Sequence, residues 1–385
     1  MKRVDTGYIR SLDGIRALAI ILVMSFHAGI THFGWMGVQL FFVLSGYLIT
    51  GILWKEKAKE DPLSFKFKRF WTRRSLRIFP LYFGYLIVLG ITWLLVHFPS
   101  YYTTYAPYLF TYTFNYTRLL PQWQGNPLFT HLWSLSIEEQ FYLFYPLVIF
   151  LLPRHLIKYF LFFFILFSPF TRYLLGEYYK SKTTLLVAAD AVYWNTLSHL
   201  DAFFMGGLIP VLALDKKITR PRMLFLFSLL LVVALGILNY YTSGHDIPFW
   251  SDLGYNHDQP ENYAHVWRYS VLNLFFASLI LVLTTTHQQR PGMLRRFFEN
   301  AIMVRIGKVS YGMYIFHWLI YVYIFDRLFS PQSVVMKLAV FLPYLLAVYL
   351  LAAASFRWYE SYFIRLKDVL FNRKKDAMVQ RFTAP

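Results

Sequence analysis

Arg16 and His27 lie eleven residues apart inside one apolar run. In an α-helix that spacing places them three turns apart on nearly one face, about 16 Å along the axis. A guanidinium and an imidazole on one face read as two stations of a shared polar channel. The plainer alternative is an arginine reaching back to the membrane interface and a histidine near the other end. A second constellation is Arg73, Arg74 and Arg77, preceded by Arg69 and followed by Pro80 and Tyr82. Arg73 and Arg77 share a helical face, and planar guanidinium forks suit phosphate. A juxtamembrane cluster that holds anionic lipid and fixes topology fits the composition equally well. The third constellation is His131, Glu138 and Glu139. His131 and Glu138 share a face about 10 Å apart, and adjacent carboxylates in an apolar segment demand counter-ions, for which arginines or a histidine are the candidates. A purely structural ion pair is the alternative there, although such pairs seldom gain stability over apolar replacements. Asp201 with His199, His317, and Arg357 with Glu360 are further ionisable positions in or beside apolar runs.

The elements that must position these groups follow from composition. Of 385 residues, 57% are hydrophobic and only 15% charged, with a mean hydropathy of +0.42. Soluble domains carry about 25% charged residues, so a soluble or disordered chain is excluded. The absence of cysteine removes disulfides, thiolate metal sites and cysteine nucleophiles. Hydropathy predicts an all-α, polytopic transmembrane bundle of about ten spans, near 12–31, 34–54, 79–98, 132–153, 156–175, 197–214, 223–241, 268–287, 309–329 and 337–358. Asp13 and Arg16 interrupt the first apolar run and no small-residue cleavage site follows, so it reads as an uncleaved span. The formal charge of +18 suggests a nucleic-acid binder until the charges are placed. Thirty of the 38 Lys and Arg fall on one set of alternate segments, whereas 99–131 holds a single Arg118 and 242–267 holds Asp246, Asp252, Asp258 and Glu261 with no base. That is a positive-inside pattern: both termini cytoplasmic, a basic cytoplasmic tail at 359–385, and no role for nucleic acid. Residues 1–385 read as one integral membrane domain without internal repeats.

The motifs, in their order, resemble the acyltransferase-3 family of integral membrane acyltransferases. Leu12 to Ala19 with His27 is similar to that family's Arg-x10-His signature, and Phe41 to Thr50 to its second-span motif. Arg73 to Tyr82, Trp133 to Tyr142 and Ile306 to Trp318 resemble three more, so the likeness runs from residue 12 to about 360. There are departures: His199 stands where the family often has Arg before Asp201, Leu319 follows Trp318 in place of Pro, and Tyr362 follows Glu360-Ser361 in place of Pro. The chain resembles the stand-alone type, without the extracytoplasmic hydrolase-like domain that many relatives append.

The resemblance implies an O-acyltransferase in the cell inner membrane that moves an acyl group, first of all acetyl from cytoplasmic acetyl-CoA, to a hydroxyl. The acceptor would be a cell-surface or exported glycan such as lipopolysaccharide O-antigen or exopolysaccharide, with a small secreted metabolite as the alternative. His27 and Glu138 would be catalytic: His27 as general base or acyl carrier, Glu138 orienting it or pairing with an arginine. Arg16, Arg73, Arg74 and Arg77 would hold the acyl-CoA phosphates. His131, Trp133, Glu139, Tyr142, Asp201 and His317 would bind substrate or support the site, with aromatics of 99–131 stacking on a sugar. No metal is expected, membrane lipid is the surrounding partner, and the oligomeric state is open. A polytopic transporter or flippase without chemistry is the competing class.

Overall fold

A computed structural model describes residues 8–96, 101–243, 247–256, 263–285, 292–366 and 369–370. Lys2, Arg3, Asp246, Asp258, Glu261, Arg290 and the tail from 371 onward lie outside the described residues. Those described form helices and connecting turns, with no strand among them. The main helices are α1 (Arg10–His27), α2 (Met36–Lys57), α3 (Leu63–Val96), α4 (Tyr101–Phe110), α5 (Trp133–Leu151), α6 (Arg154–Lys180), α7 (Leu185–Tyr193), α8 (Leu200–Leu212), α9 (Pro221–Thr242), α10 (Ala264–Thr284), α11 (Ala301–Lys308), α12 (Ser310–Ile320) and α13 (Val334–Ser355).

Six stretches of this set are long and apolar enough to cross a membrane, those built on α2, α3, α6, α9, α10 and α13. The four other expected spans correspond to α1, α5, α8 and α12, which are either short or carry charge: Arg16 on α1, Glu138 and Glu139 on α5, Asp201 on α8 and His317 on α12. The helices that depart from an ordinary span therefore carry much of the candidate chemistry, and the arginine cluster on α3 carries the rest.

Several expected boundaries shift. Residues 63–77 are not a loop, because α3 runs unbroken for 34 residues through Pro80. At 1.5 Å per residue it is about 51 Å long, roughly 20 Å more than a hydrocarbon core requires, and the arginine cluster rides on that overhang. The expected span 309–329 starts as α12 and changes to π geometry over Tyr321–Asp326. The segment 99–131 contains α4 and two 3₁₀ turns, Phe114–Leu119 and Thr130–Leu132.

The tightest crossing joins α2 and α8. A Cβ at Gly46 would collide with the Phe203 carbonyl oxygen, and one at Gly206 with the Val43 carbonyl oxygen. Small residues are what allow two helix backbones to approach this closely in an apolar medium. Lys57, at the end of α2, donates to the carbonyls of Ile149, Phe150 and Leu152 at 2.7, 3.2 and 2.8 Å. It caps the unsatisfied C-terminus of α5, where a cation also meets the negative end of the helix dipole. The first device fixes α8 against α2, and the second fixes α5 beside α2.

Candidate functional site

A cavity of about 110 Å³ lies within the bundle, with Arg16, Arg74, Arg77, Glu138, Glu139 and Lys308 in its wall. Arg16 forms an ion pair with Asp13, one turn earlier on α1. Arg74 lies over the Tyr142 ring, 4.3 Å from its centroid. Glu138 accepts hydrogen bonds from Ser45 Oγ at 2.9 Å and Tyr142 OH at 3.0 Å. Oε1 of Glu139 is buried with no hydrogen-bond partner among the described residues. Glu139 Oε1 and Arg74 Nε are thus the incompletely paired polar atoms among the charged groups of the cavity wall. A second cavity of about 330 Å³ shares Arg74 and Arg77 and adds Arg73 to its lining. There Arg69 is already committed to Glu56 and to Asp61, the latter at 2.8 Å.

Helix α3 explains the arrangement: Arg73, Arg74 and Arg77 occupy i, i+1 and i+4 of one continuous helix, so its arginine face borders both cavities.

His27 does not face Glu138. It ends α1 and meets His317 of α12, with Nδ1 to Nε2 at 2.7 Å. The Trp318 ring stacks on it, centroids 4.2 Å apart and 11° from parallel. His317 Nδ1 lies 2.6 Å from the Tyr314 carbonyl, and the His131 ring stands edge-on to His317 at 5.0 Å. His131 Nε2 reaches the Ile315 carbonyl at 3.1 Å. Three histidines from α12, the end of α1 and the turn before α5 are therefore brought together. Tyr314 separates this group from the charged cavity: its side chain lines the cavity, and its hydroxyl meets Ser134 Oγ at 2.5 Å and the His131 carbonyl at 2.8 Å. Among the described residues no three His, Asp or Glu side chains form a metal-ligand group.

Asp201 is placed elsewhere. It pairs at 3.0 Å with Arg172 of α6, both side chains fully inaccessible. Arg172 also donates to the Ser198 and Val266 carbonyls, and Ser270 Oγ donates to Asp201 at 2.6 Å. The arginine that the sequence lacks beside Asp201 thus comes from another helix. His199 instead accepts at Nδ1 from Gln39 Nε2 at 2.8 Å and donates from Nε2 to the Tyr193 carbonyl at 2.5 Å.

The expected stacking surfaces are largely occupied. Trp133 is buried and stacks on Trp194 at 5.4 Å, and Tyr105, Phe114 and Phe129 of the segment 99–131 pack into the core. Lys308, Tyr314 and Trp318 are contributors not singled out from sequence, although each lies inside a motif already noted. Arg172 carried a usable signal, a charge deep in an apolar run.

Comparison with known proteins gives a consistent picture. O-acetyltransferase OatA of Staphylococcus aureus is 29% identical over 383 residues, covering 94% of this chain and 58% of its own. A protein of S. aureus strain COL, provisionally named an O-acetyltransferase, is 27% identical over 341 residues, covering 81% of this chain and 50% of its own. The chain spans about half to three-fifths of the length of these curated relatives. No solved structure matches it. The acyltransferase-domain family matches residues 9–357, nearly the whole chain, and the chain belongs to that family.

Proposed function

We propose that this protein is a membrane O-acyltransferase that takes acetyl from cytoplasmic acetyl-CoA and delivers it to a hydroxyl of a cell-surface or exported glycan. The observation that carries the reading is the charged cavity, with Arg16, Arg74, Arg77 and Lys308 in one wall system and a further basic chamber beside it. Coenzyme A presents several phosphates and a long neutral arm, and guanidinium groups bind phosphates bidentately. The larger chamber suits the nucleotide end, and the narrower cavity suits the arm. The two-station geometry of α1 fits as well, because Arg16 and His27 are separated by about 16 Å of helix, a length comparable to the extended arm. His27 then acts as general base on the acceptor hydroxyl. Glu138 serves the donor cavity, held by Ser45 and Tyr142 beside Arg74. In this reading about ten segments cross the membrane, both termini lie on the basic, cytoplasmic face, and the acceptor arrives from the other side.

The test compares surface glycans by mass spectrometry from cells carrying the gene, lacking it, or carrying His27→Ala at equal membrane abundance. Loss of one acetyl per repeat in both the deletion and the variant is the expected result. Rate losses of about 100-fold to 10,000-fold are usual when a general base is removed. An unchanged glycan in the deletion overturns the acceptor class, and a fully acetylated glycan in His27→Ala overturns the base.

A further inference from the structure

The histidine group has a forced proton arrangement. The Tyr314 carbonyl oxygen can only accept, so the 2.6 Å contact requires His317 Nδ1 to carry a proton and donate it. Neutral His317 then holds a lone pair on Nε2. The 2.7 Å contact to His27 Nδ1 follows: His27 donates its Nδ1 proton to His317 Nε2. One nitrogen remains, and His27 Nε2 keeps its lone pair. Both rings are neutral in this arrangement, as a buried apolar setting favours, and His317 is fully buried.

We propose that His317 is the positioning residue of the transfer reaction: through Nε2 it fixes the tautomer and ring orientation of His27, so that Nε2 of His27 is the base. This rests on the reading above that His27 accepts the hydroxyl proton. The acceptor O–H gives its proton to His27 Nε2 as its oxygen bonds to the thioester carbonyl carbon. The C–S bond then breaks and the sulfur leaves with that proton, which returns His27 to its starting tautomer. Between these events His27 is an imidazolium, and three features meet its charge without reorganisation. The hydrogen bond to His317 Nε2 strengthens as its donor becomes cationic. The Trp318 ring, stacked at 4.2 Å, offers its electron-rich face. The chain ends on the Tyr314 carbonyl, a dipole that also holds the His317 ring against rotation. The logic is that of a base oriented by a second group, with a neutral histidine and a main-chain carbonyl in the place often taken by a carboxylate. It also accounts for the position of Glu138, which bonds Ser45 and Tyr142 and has no part in holding His27.

The experiment uses the full chain in membranes, with two substitutions and two readouts. His317→Gln can still present an amide oxygen to His27 Nδ1, whereas His317→Phe keeps the ring's bulk and offers no acceptor. The expected result is that Gln stays within about tenfold of the wild-type kcat. Phe should fall by about 100-fold or more, the scale of a lost acid–base contribution, with KM for acetyl-CoA unchanged. The second readout is the ¹⁵N spectrum of histidine-labelled protein, with the His27 signal assigned by its absence in His27→Gln. Nδ1 should be protonated in the wild type and in His317→Gln, and a mixture of tautomers should appear in His317→Phe. Equal losses in the Gln and Phe variants, an unchanged kcat in Phe, or a wild-type His27 protonated at Nε2 would each overturn the proposal. The tautomer readout needs no turnover, so it separates this inference from the general-base reading, which stands or falls with His27→Ala.

Discussion

Asp201 and Glu138 are both carboxylates inside the same bundle, and their surroundings differ in every respect that matters. Asp201 is fully inaccessible, is paired with an equally buried Arg172, and accepts from Ser270. Glu138 accepts from two neutral hydroxyls and faces a cavity that it shares with Arg16, Arg74, Arg77 and Lys308. The first arrangement is closed around an opposite charge at contact distance, and the second opens on a cavity lined by several cations. A charge in an apolar span is a functional candidate by default. The contrast refines that default: a buried opposite charge at contact distance fits a helix clamp, and cations set around a cavity make a candidate binding site.

The sharpest way to break the comparison is to remove one member of the clamp. Arg172→Leu leaves Asp201 buried and charged without its counter-ion, which should cost about 3–5 kcal/mol. Thermal inactivation of the detergent-solubilised protein should show a midpoint many degrees lower. The double variant Arg172→Leu, Asp201→Leu should regain most of that loss, since apolar replacement of a buried pair is often neutral. A single variant as stable as the wild type would put the pair outside the set of structural clamps.

Arg77→Ala probes the other side. Arg77 lines both cavities and forms no ion pair among the described residues. Its loss should leave the inactivation midpoint in place and weaken CoA binding by about 10-fold to 100-fold, the value of a charge-assisted hydrogen bond or two. Titration calorimetry with CoA measures this directly. A lower midpoint with unchanged CoA affinity would make the arginine face a structural or lipid-holding device and erase the distinction.

How much of this was legible in the sequence depended on the range of the interaction. Helical class, the polar runs and the arginine face depend on local periodicity, and Arg16, Arg74, Arg77, Glu138 and Glu139 do converge on one cavity. Spacing along a single helix does not report what faces it from another helix. Glu138 was therefore a candidate partner for His27, whereas the contact belongs to His317, 290 residues away. The same limit concealed Arg172 as the counter-ion of Asp201 and Tyr314 as the divider between cavity and histidines. The aromatics around Trp133 misled for a different reason: in so apolar a chain, tryptophan and tyrosine fill the core as readily as they line a sugar site. Their burial against Trp194 and Tyr193 is decided by α7 and the following turn, which carry no local signal of it.

The finest test uses a bond that occurs once on each side of the comparison. Ser45 Oγ donates to Glu138 at 2.9 Å, and Ser270 Oγ donates to Asp201 at 2.6 Å. Each replacement by alanine removes one serine-to-carboxylate hydrogen bond, worth about 1 kcal/mol net, together with the bond the serine accepts, from Tyr142 at Ser45 and from Arg172 at Ser270. The two losses should appear in different measurements. At Ser270 the bond joins groups already locked into the bundle, so Ser270→Ala should lower the inactivation midpoint slightly and leave CoA affinity alone. At Ser45 the carboxylate retains Tyr142 and can turn toward the cavity cations, so the fold loses little. The freed carboxylate then competes with the donor's phosphates for Arg74, and CoA affinity should drop by about fivefold, the equivalent of about 1 kcal/mol. Were both serines to act on stability alone, the carboxylate at Glu138 would be a clamp like Asp201, and the charged cavity would lose its claim to the donor.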